Sequence, residues 1–307
     1  MEINKKRYRD VDSYFKKKFN KKIIKLPLDG NFTCPNRDGT LSYLGCIYCS
    51  ENGAGDFTKF DDLDRQIDFQ IERLKKENRN EGYMAYFQNF TSTYGDFEKI
   101  KKLFYEAINN PKIMGLSIAT RADCLSDEVI DLLDEINKKT FLIVELGLQS
   151  VNEKSIEFIN RGYSHKEFDE GLLKLKEKNI KTLAHLIIGL PNENLDDYLR
   201  AISYINERKF WGIKIHNLYI EKGSRIYDYY LKNTNEFKMT LDEFVDCVIL
   251  ILESLDPKIV VQRLTGDGRR DRIIWPIWSK NKAKVLSTID KKLKDGNKNQ
   301  GDLWKEK

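Results

Sequence analysis

Three cysteines within sixteen residues, Cys34, Cys46 and Cys49 in the run CPNRDGTLSYLGCIYC, are the side chains of this sequence that most directly imply chemistry. The last two form a CxxC pair, and a Gly-containing stretch of eleven residues separates them from the first. A structural zinc site closes a tetrahedron with four Cys or His ligands. No fourth such residue lies near, because Cys124 and Cys247 stand alone and His165, His185 and His216 belong to other segments. Three thiolates suit a cubane iron-sulfur cluster that leaves one iron open to an exogenous ligand. Zinc completed by a distant fourth ligand, or an incidental CxxC, are the other readings of the bare spacing.

Glu145 is the next unusual residue, set within the apolar run Phe-Leu-Ile-Val-Glu-Leu. A carboxylate there is costly unless it is paired or faces a polar site. Strand alternation places Glu145, Gly147 and Gln149 on one face, and a pairing of Glu145 with Arg121 of the preceding strand is the structural alternative. Gln88, Arg121, His185 and His216 fall near the ends of other apolar runs. A lone His185 on such a run reads equally as a hydrogen-bonded core residue or as a ligand. In RLTGDGRRDRIIWP, Arg263, Arg269, Arg270 and Arg272 precede Trp275 and Trp278. That mixture suits phosphate contacts and base stacking, or a lid with solvated arginines.

The elements that must position these residues alternate short apolar strands with charged amphipathic helices, the signature of parallel βα units. Strands are expected at 22–26, 83–88, 113–119, 141–147, 182–188 and 213–219. Helices are expected at 61–78, 96–109, 126–138, 152–178 (broken near Gly162), 194–208 and 240–254. Six units are too few to close an eight-fold barrel, so the α/β fold is expected to be a partial (β/α)6 TIM-like barrel with one open side. Its active end is the C-terminal edge of the strands, where the cysteine segment follows the first strand. The expected division is a basic N-terminal segment at 1–21, the barrel at 22–235 and a small C-terminal extension at 236–307. That extension carries a strand near 258–263, a helix near 280–294 and a frayed last dozen residues.

The 307 residues carry a net charge of +5, made of two +7 ends (1–25 and 262–307) around a −9 middle. Basic ends could track a phosphate backbone, or abundant lysines could simply solvate a surface. MEINKKRYRD does not open a signal peptide, and no apolar run is long enough to span a bilayer. A cytoplasmic setting without membrane association is therefore expected, where five cysteines point to metal or catalysis rather than disulfides.

The cysteine run, with an aromatic inside its CxxC, resembles the radical S-adenosylmethionine (radical SAM) enzymes, specifically the bacterial YtqA/YhcC family related to the Elp3-type tRNA-modifying enzymes. The usual superfamily spacing is CxxxCxxC, and the longer first interval marks this smaller family. The resemblance continues through TSTYG (91–95), TRADC (120–124), ELGLQS (145–150), NRGYS (160–164), HLIIGLPNE (185–193) and RLTGDG (263–268). It implies a 4Fe-4S cluster on the three cysteines and S-adenosyl-L-methionine on the open iron, whose reductive cleavage yields a 5′-deoxyadenosyl radical. It further implies that Gln149 contacts the cofactor ribose and Arg161 its carboxylate or ribose, and that Tyr48 packs the adenine. The backbone at Gly189 would approach the adenosine, and Gln88 is a further cofactor-binding candidate. Glu145, Arg121 and His185 are the catalytic candidates, although related enzymes of the coproporphyrinogen-oxidase type carry Asp where this chain has His185.

The implied partners are tRNA and a low-potential electron donor such as flavodoxin or ferredoxin. The implied reaction remodels the 5-substituent of a wobble uridine, from carboxymethylaminomethyl to aminomethyl. No acetyltransferase region and no second cysteine cluster are expected. A radical enzyme for a small metabolite and a zinc-stabilised RNA-binding protein are the alternatives.

Overall fold

The computed structural model describes residues 6–50, 53, 61–74 and 81–306. Seven parallel strands make one curved sheet in the order β1 (Lys22–Leu28), β2 (Glu81–Phe87), β3 (Ile113–Thr120), β4 (Phe141–Gln149), β5 (Lys181–Ile188), β6 (Gly212–Asn217) and β8 (Val260–Arg263). Near-continuous apolar runs fit strands that are covered on both faces. The helices α2 (Leu63–Leu74), α3 (Phe97–Asn109), α4 (Asp127–Lys139), α6 (His165–Glu177), α7 (Leu195–Glu207) and α9 (Leu241–Ser254) bury apolar faces against the outside of the sheet. Several start where the sequence supplies caps: Ser164 with Glu167, Asn194 with Asp197 and Thr240 with Glu243 each complete a reciprocal capping box.

The strand expected in the appended piece is instead the seventh strand of the sheet, pairing in parallel with β6. The broken helix at 152–178 resolves into α5 (Glu153–Phe158) and α6, separated by left-handed turns at Asn160 and Gly162. Positions 75–78 of the expected helix at 61–78 lie outside the described residues.

Three features are not in the sequence reading. The basic N-terminal stretch contains a helix, α1 (Val11–Phe19), whose Phe15 is 1% exposed and plugs the N-terminal end of the barrel. Its ring meets Phe141 edge-on at 5.7 Å, and Tyr14 meets Trp211 at 5.2 Å. Just before α1, Arg9 O accepts from Val261 N at 2.8 Å, tying the segment to the open edge of β8. Helix α8 (Arg225–Lys232) and a ribbon of β7 (Ile220–Glu221) against β9 (Ile273–Trp275) pack at the opposite, C-terminal end.

The last residues are not frayed. After α10 (Lys282–Asp295), Gly301 N donates to Leu252 O at 3.0 Å and Leu303 N to Glu253 O at 2.8 Å, which caps the open carbonyls of α9.

Candidate active site at the barrel mouth

The cysteine loop leaves β1 and is held by contacts from segments far away in sequence. Ile47 N donates to Ile159 O at 3.0 Å, and Asn160 Nδ2 donates to Gly45 O at 2.8 Å. Asn36 Nδ2 returns to Asn160 O at 2.6 Å and faces Cys46 Sγ at 3.7 Å. From α8, Ile226 N reaches Ile47 O at 3.0 Å, and the Arg225 guanidinium donates to Gly45 O at 3.0 Å. The NRGYS segment is thus a clamp on the loop: a Cβ at Gly162 would stand 3.0 Å from Asn36 Oδ1, and φ there is +77°.

Cys34, Cys46 and Cys49 line one cavity of about 1160 Å³ that runs from this mouth down to Phe15. Burial pushes the Cys49 thiol up to about 12, and the neighbouring Cys46 adds to the shift. Burial also raises Cys46, with Cys34 contributing in the same direction. Thiols raised in this way, as Cys46 and Cys49 are, stay ionised only with a cationic centre beside them. Arg37 Nη1 lies 3.9 Å from Cys49 Sγ, a donor of the kind that tunes cluster potentials. Among the described residues no three of His, Cys, Asp and Glu converge on a single ion position. A one-metal zinc cage needs such convergence, whereas a cubane takes each thiolate on a different iron. The donor set therefore fits the cluster.

Inside the barrel Glu145 is 1% exposed and gathers a polar partner from every other strand. Lys25 Nζ of β1 donates at 2.5 Å, Tyr86 Oη of β2 at 3.0 Å and Ser117 Oγ of β3 at 2.8 Å. His185 Nε2 of β5 lies at 2.7 Å, Lys214 Nζ of β6 at 3.1 Å and Gln262 Nε2 of β8 at 3.5 Å. Burial opposes the charge on Glu145, but Lys214 and Lys25 together hold it well below the usual carboxylate range. Burial lowers Lys214 to about 7 and His185 to about 4, so His185 is a neutral imidazole at neutral pH.

The alternative pairing of Glu145 with Arg121 does not occur. Arg121, also in the cavity wall, turns from the β3 end to Asp123 at 2.7 Å and to Arg161 O at 2.8 Å, because Lys25 and Lys214 already occupy Glu145. Gln88, Gln149, Tyr48, His185 and Arg263 all line the cavity, and Glu145, Gly147 and Gln149 share the face that alternation assigned to them. Gln149 holds φ +64°, a left-handed turn at the β4 end that folds its side chain back over Gly147.

Other candidates are placed differently. Arg161 lines the cavity too, but the residue is only 2% exposed and its guanidinium bonds Leu148 O at 2.9 Å and Tyr163 O at 3.0 Å, so it also ties the NRGYS turn to β4. Gly189 gives its N–H to Tyr198 Oη at 3.0 Å and is absent from the cavity wall. Trp275 packs edge-on against Phe237 at 5.5 Å, and Trp278 lies on Phe244 at 5.1 Å. Neither ring is the open stacking platform that the sequence suggested. Arg269 chelates Asp271 and Arg263 pairs with Asp267, whereas the Arg270 side chain is exposed.

Sequence reasoning missed Lys25, Tyr86, Ser117 and Lys214. A lysine inside IIKLPL and another inside GIKIHN carry the same signal as Glu145, a charge within an apolar strand.

A parallel partial barrel with a three-thiolate loop at its C-terminal mouth and an ionic interior is the framework of an iron-sulfur enzyme. The sequence description "Radical SAM superfamily" matches residues 40–205, and "Radical_SAM C-terminal domain" matches 210–295. The YtqA protein of Bacillus subtilis (strain 168) is 39% identical over 301 residues, covering 97% of this chain and 93% of that protein. Protein YhcC of Escherichia coli (strain K12) is 30% identical over 284 residues, covering 91% and 90%. Elongator complex protein 3 of Danio rerio is 29% identical over 168 residues, 53% of this chain and 30% of that one. Among solved structures, the archaeal Methanocaldococcus infernus Elp3 lacking its N-terminus matches with a TM-score of 0.68 at 16% identity. It shares the fold over 91% of this chain and 64% of its own.

The chain belongs to the radical SAM superfamily and is an enzyme whose cofactors are a 4Fe-4S cluster and S-adenosylmethionine. Among the described residues no helix is long and apolar enough to cross a membrane.

Proposed function

We propose that this enzyme modifies tRNA, converting the carboxymethylaminomethyl group of a wobble uridine to the aminomethyl type. The observation that carries this reading is the cavity, whose roughly 1160 Å³ exceeds what one drug-sized ligand fills. It leaves room beside the cofactor for a base swung out of its stack. The similarity to elongator complex protein 3 supports an RNA substrate over a small metabolite.

In this reading Cys34, Cys46 and Cys49 hold the cluster, and Gln149, Gln88 and Tyr48 position S-adenosylmethionine above the barrel interior. Bound together, cluster and cofactor supply one-electron chemistry that removes a hydrogen atom from the substrate. Arg161 holds the turn beneath the cofactor through its carbonyl contacts, and α1 closes the far end of the barrel to solvent. An external low-potential donor, a flavodoxin or ferredoxin, feeds the cluster in this scheme.

The test is nucleoside profiling of tRNA from a strain lacking the gene. Accumulation of the carboxymethylaminomethyl nucleoside with loss of its aminomethyl products is expected. An unchanged wobble-uridine profile retires the tRNA assignment in favour of a small-metabolite substrate.

A further inference from the structure

Inside the barrel two lysines face one carboxylate. Lys25 Nζ bonds Ser117 Oγ at 2.9 Å and Glu145 Oε1 at 2.5 Å, while Lys214 Nζ bonds Tyr86 Oη at 2.9 Å and Glu145 Oε2 at 3.1 Å. An ammonium carries three donors, so each lysine keeps one N–H unspent. Glu145 already accepts from Lys25, Ser117, Tyr86 and Lys214 and also contacts His185, which fills the lone pairs of a carboxylate. Among the described residues no other carboxylate lies within ion-pair distance of either lysine. Arg263 adds positive charge beside both of them and turns its own pairing outward to Asp267 at 3.6 Å. When both lysines are protonated, one buried positive charge is therefore left without a counter-ion.

Two further polar atoms in the same wall are buried without a hydrogen-bond partner, His216 Nε2 and Gln262 Oε1. Buried polar groups are paired in folded proteins unless a ligand or water completes them. His216 follows Lys214 by two residues and so shares its face of β6. Its ring centroid lies 5.5 Å from that of His185. Gln262 reaches toward Glu145 with its amide nitrogen, and its oxygen is the unpartnered atom. The set offers spare donors from Lys25, Lys214 and His216 and one spare acceptor from Gln262.

We propose that Lys25, Lys214 and His216 form a receptor for a carboxylate of the substrate, with Gln262 Oε1 accepting from an N–H beside it. The ligand class is an N-substituted glycine. Charge-assisted contacts from two ammonium groups fix both the charge and the position of such a group. The receptor is separate from the cofactor's own carboxylate, because Lys25 lies three residues below the β1 end, about 10 Å at the rise of a strand. Only the identity of the carboxylate rests on the tRNA reading, in which it is the carboxymethyl end of the wobble-uridine side chain.

The experiment is equilibrium dialysis with anaerobic holoenzyme saturated with S-adenosylmethionine. The probes are two acid and ester pairs: 5-carboxymethylaminomethyluridine with its methyl ester, and N-benzylglycine with its methyl ester. Each acid should bind about tenfold or more tighter than its ester, the loss typical of a charge-assisted contact. Lys25→Gln and Lys214→Gln should bring the ratio near one and leave S-adenosylmethionine affinity within about twofold. The wild-type comparison needs no variant to fold, and Gln262→Leu, which keeps both lysines paired, should weaken acid and ester alike while preserving their ratio, because both carry the N–H. Equal affinity of acid and ester in both pairs overturns the proposal. So does a lysine variant that weakens S-adenosylmethionine but keeps the acid preference, since the charge then serves the cofactor. Discrimination in the N-benzylglycine pair alone supports the receptor and removes the wobble uridine as its occupant.

Discussion

Cys34, Cys46 and Cys49 line one mouth, whereas Cys247 sits on α9 and Cys124 lies beside Asp123. Anaerobically reconstituted protein should hold about four irons and four sulfides per chain. Alanine at any of the three should abolish that content, and Cys124→Ala and Cys247→Ala should preserve it; a full zinc complement without iron would end the cluster assignment. Gln149 and Arg161 separate along the same line of reasoning. Gln149→Ala should keep the cluster and weaken S-adenosylmethionine about tenfold in direct titration. Arg161→Ala should instead lower the unfolding midpoint, because it strands the carbonyls of Leu148 and Tyr163. If Arg161→Ala unfolds like wild type and only loses cofactor, its role is contact and not scaffold.

Lys214 gives a pH signature. Its folded value near 7 lies below its ordinary one, so between the two the unfolded chain binds a proton that the folded chain does not. Stability therefore rises with pH across that window. The urea midpoint of the wild type should climb from pH 7 to pH 9 relative to Lys214→Met, and parallel profiles would show that Lys214 stays charged throughout.

Among the elements, α1 is the one whose role reverses between sequence and structure. Val11, Phe15 and Phe19 recur at a spacing of four, so an apolar stripe was present, but the lysines at 16–18 masked it as a solvated basic segment. In the fold those lysines stay outward while Phe15 enters the ring of Phe19, Phe141 and Tyr14. Phe15→Ala should cost about 3 to 5 kcal/mol, the usual range for an aromatic removed from a packed core. Chemical denaturation measures it, and a cost below about 1 kcal/mol would mean that the barrel end is not sealed by this ring.

At the scale of the whole molecule, basic residues lie at both chain ends, and the two ends meet in space. Arg7 O accepts from Gln300 N at 2.9 Å, and Lys6 pairs with Asp290 of α10. The two basic segments thus touch where residues 6–9 meet α10 and the chain after it, while the basic loop Arg269–Arg272 sits beside β9 at the opposite end of the barrel. If this loop lies along tRNA phosphates, log affinity should fall with log salt at a slope near −0.7 to −0.9 per neutralised phosphate. Arg270→Ala should flatten that slope more than Arg269→Ala, because Arg269 is already held by Asp271. Filter-binding titrations across salt decide it, and affinity independent of salt would remove the phosphate-tracking surface.

The sequence by itself determined the strand and helix order, the partial barrel and the three thiolates. Apolar periodicity and close ligand spacing are local properties of a chain. It also located Glu145 as a charge that needed company, without naming the company. Only the tertiary structure chose Lys25 and Lys214 over Arg121, since residues 120 and 69 positions away become neighbours when β1 and β6 curl toward β4. The same holds for the NRGYS turn, whose Asn160 clamps a loop more than a hundred residues earlier while Arg161 lines the cavity. Side-chain partners across a barrel are set by how strands curve and register, and that information is distributed over the whole chain.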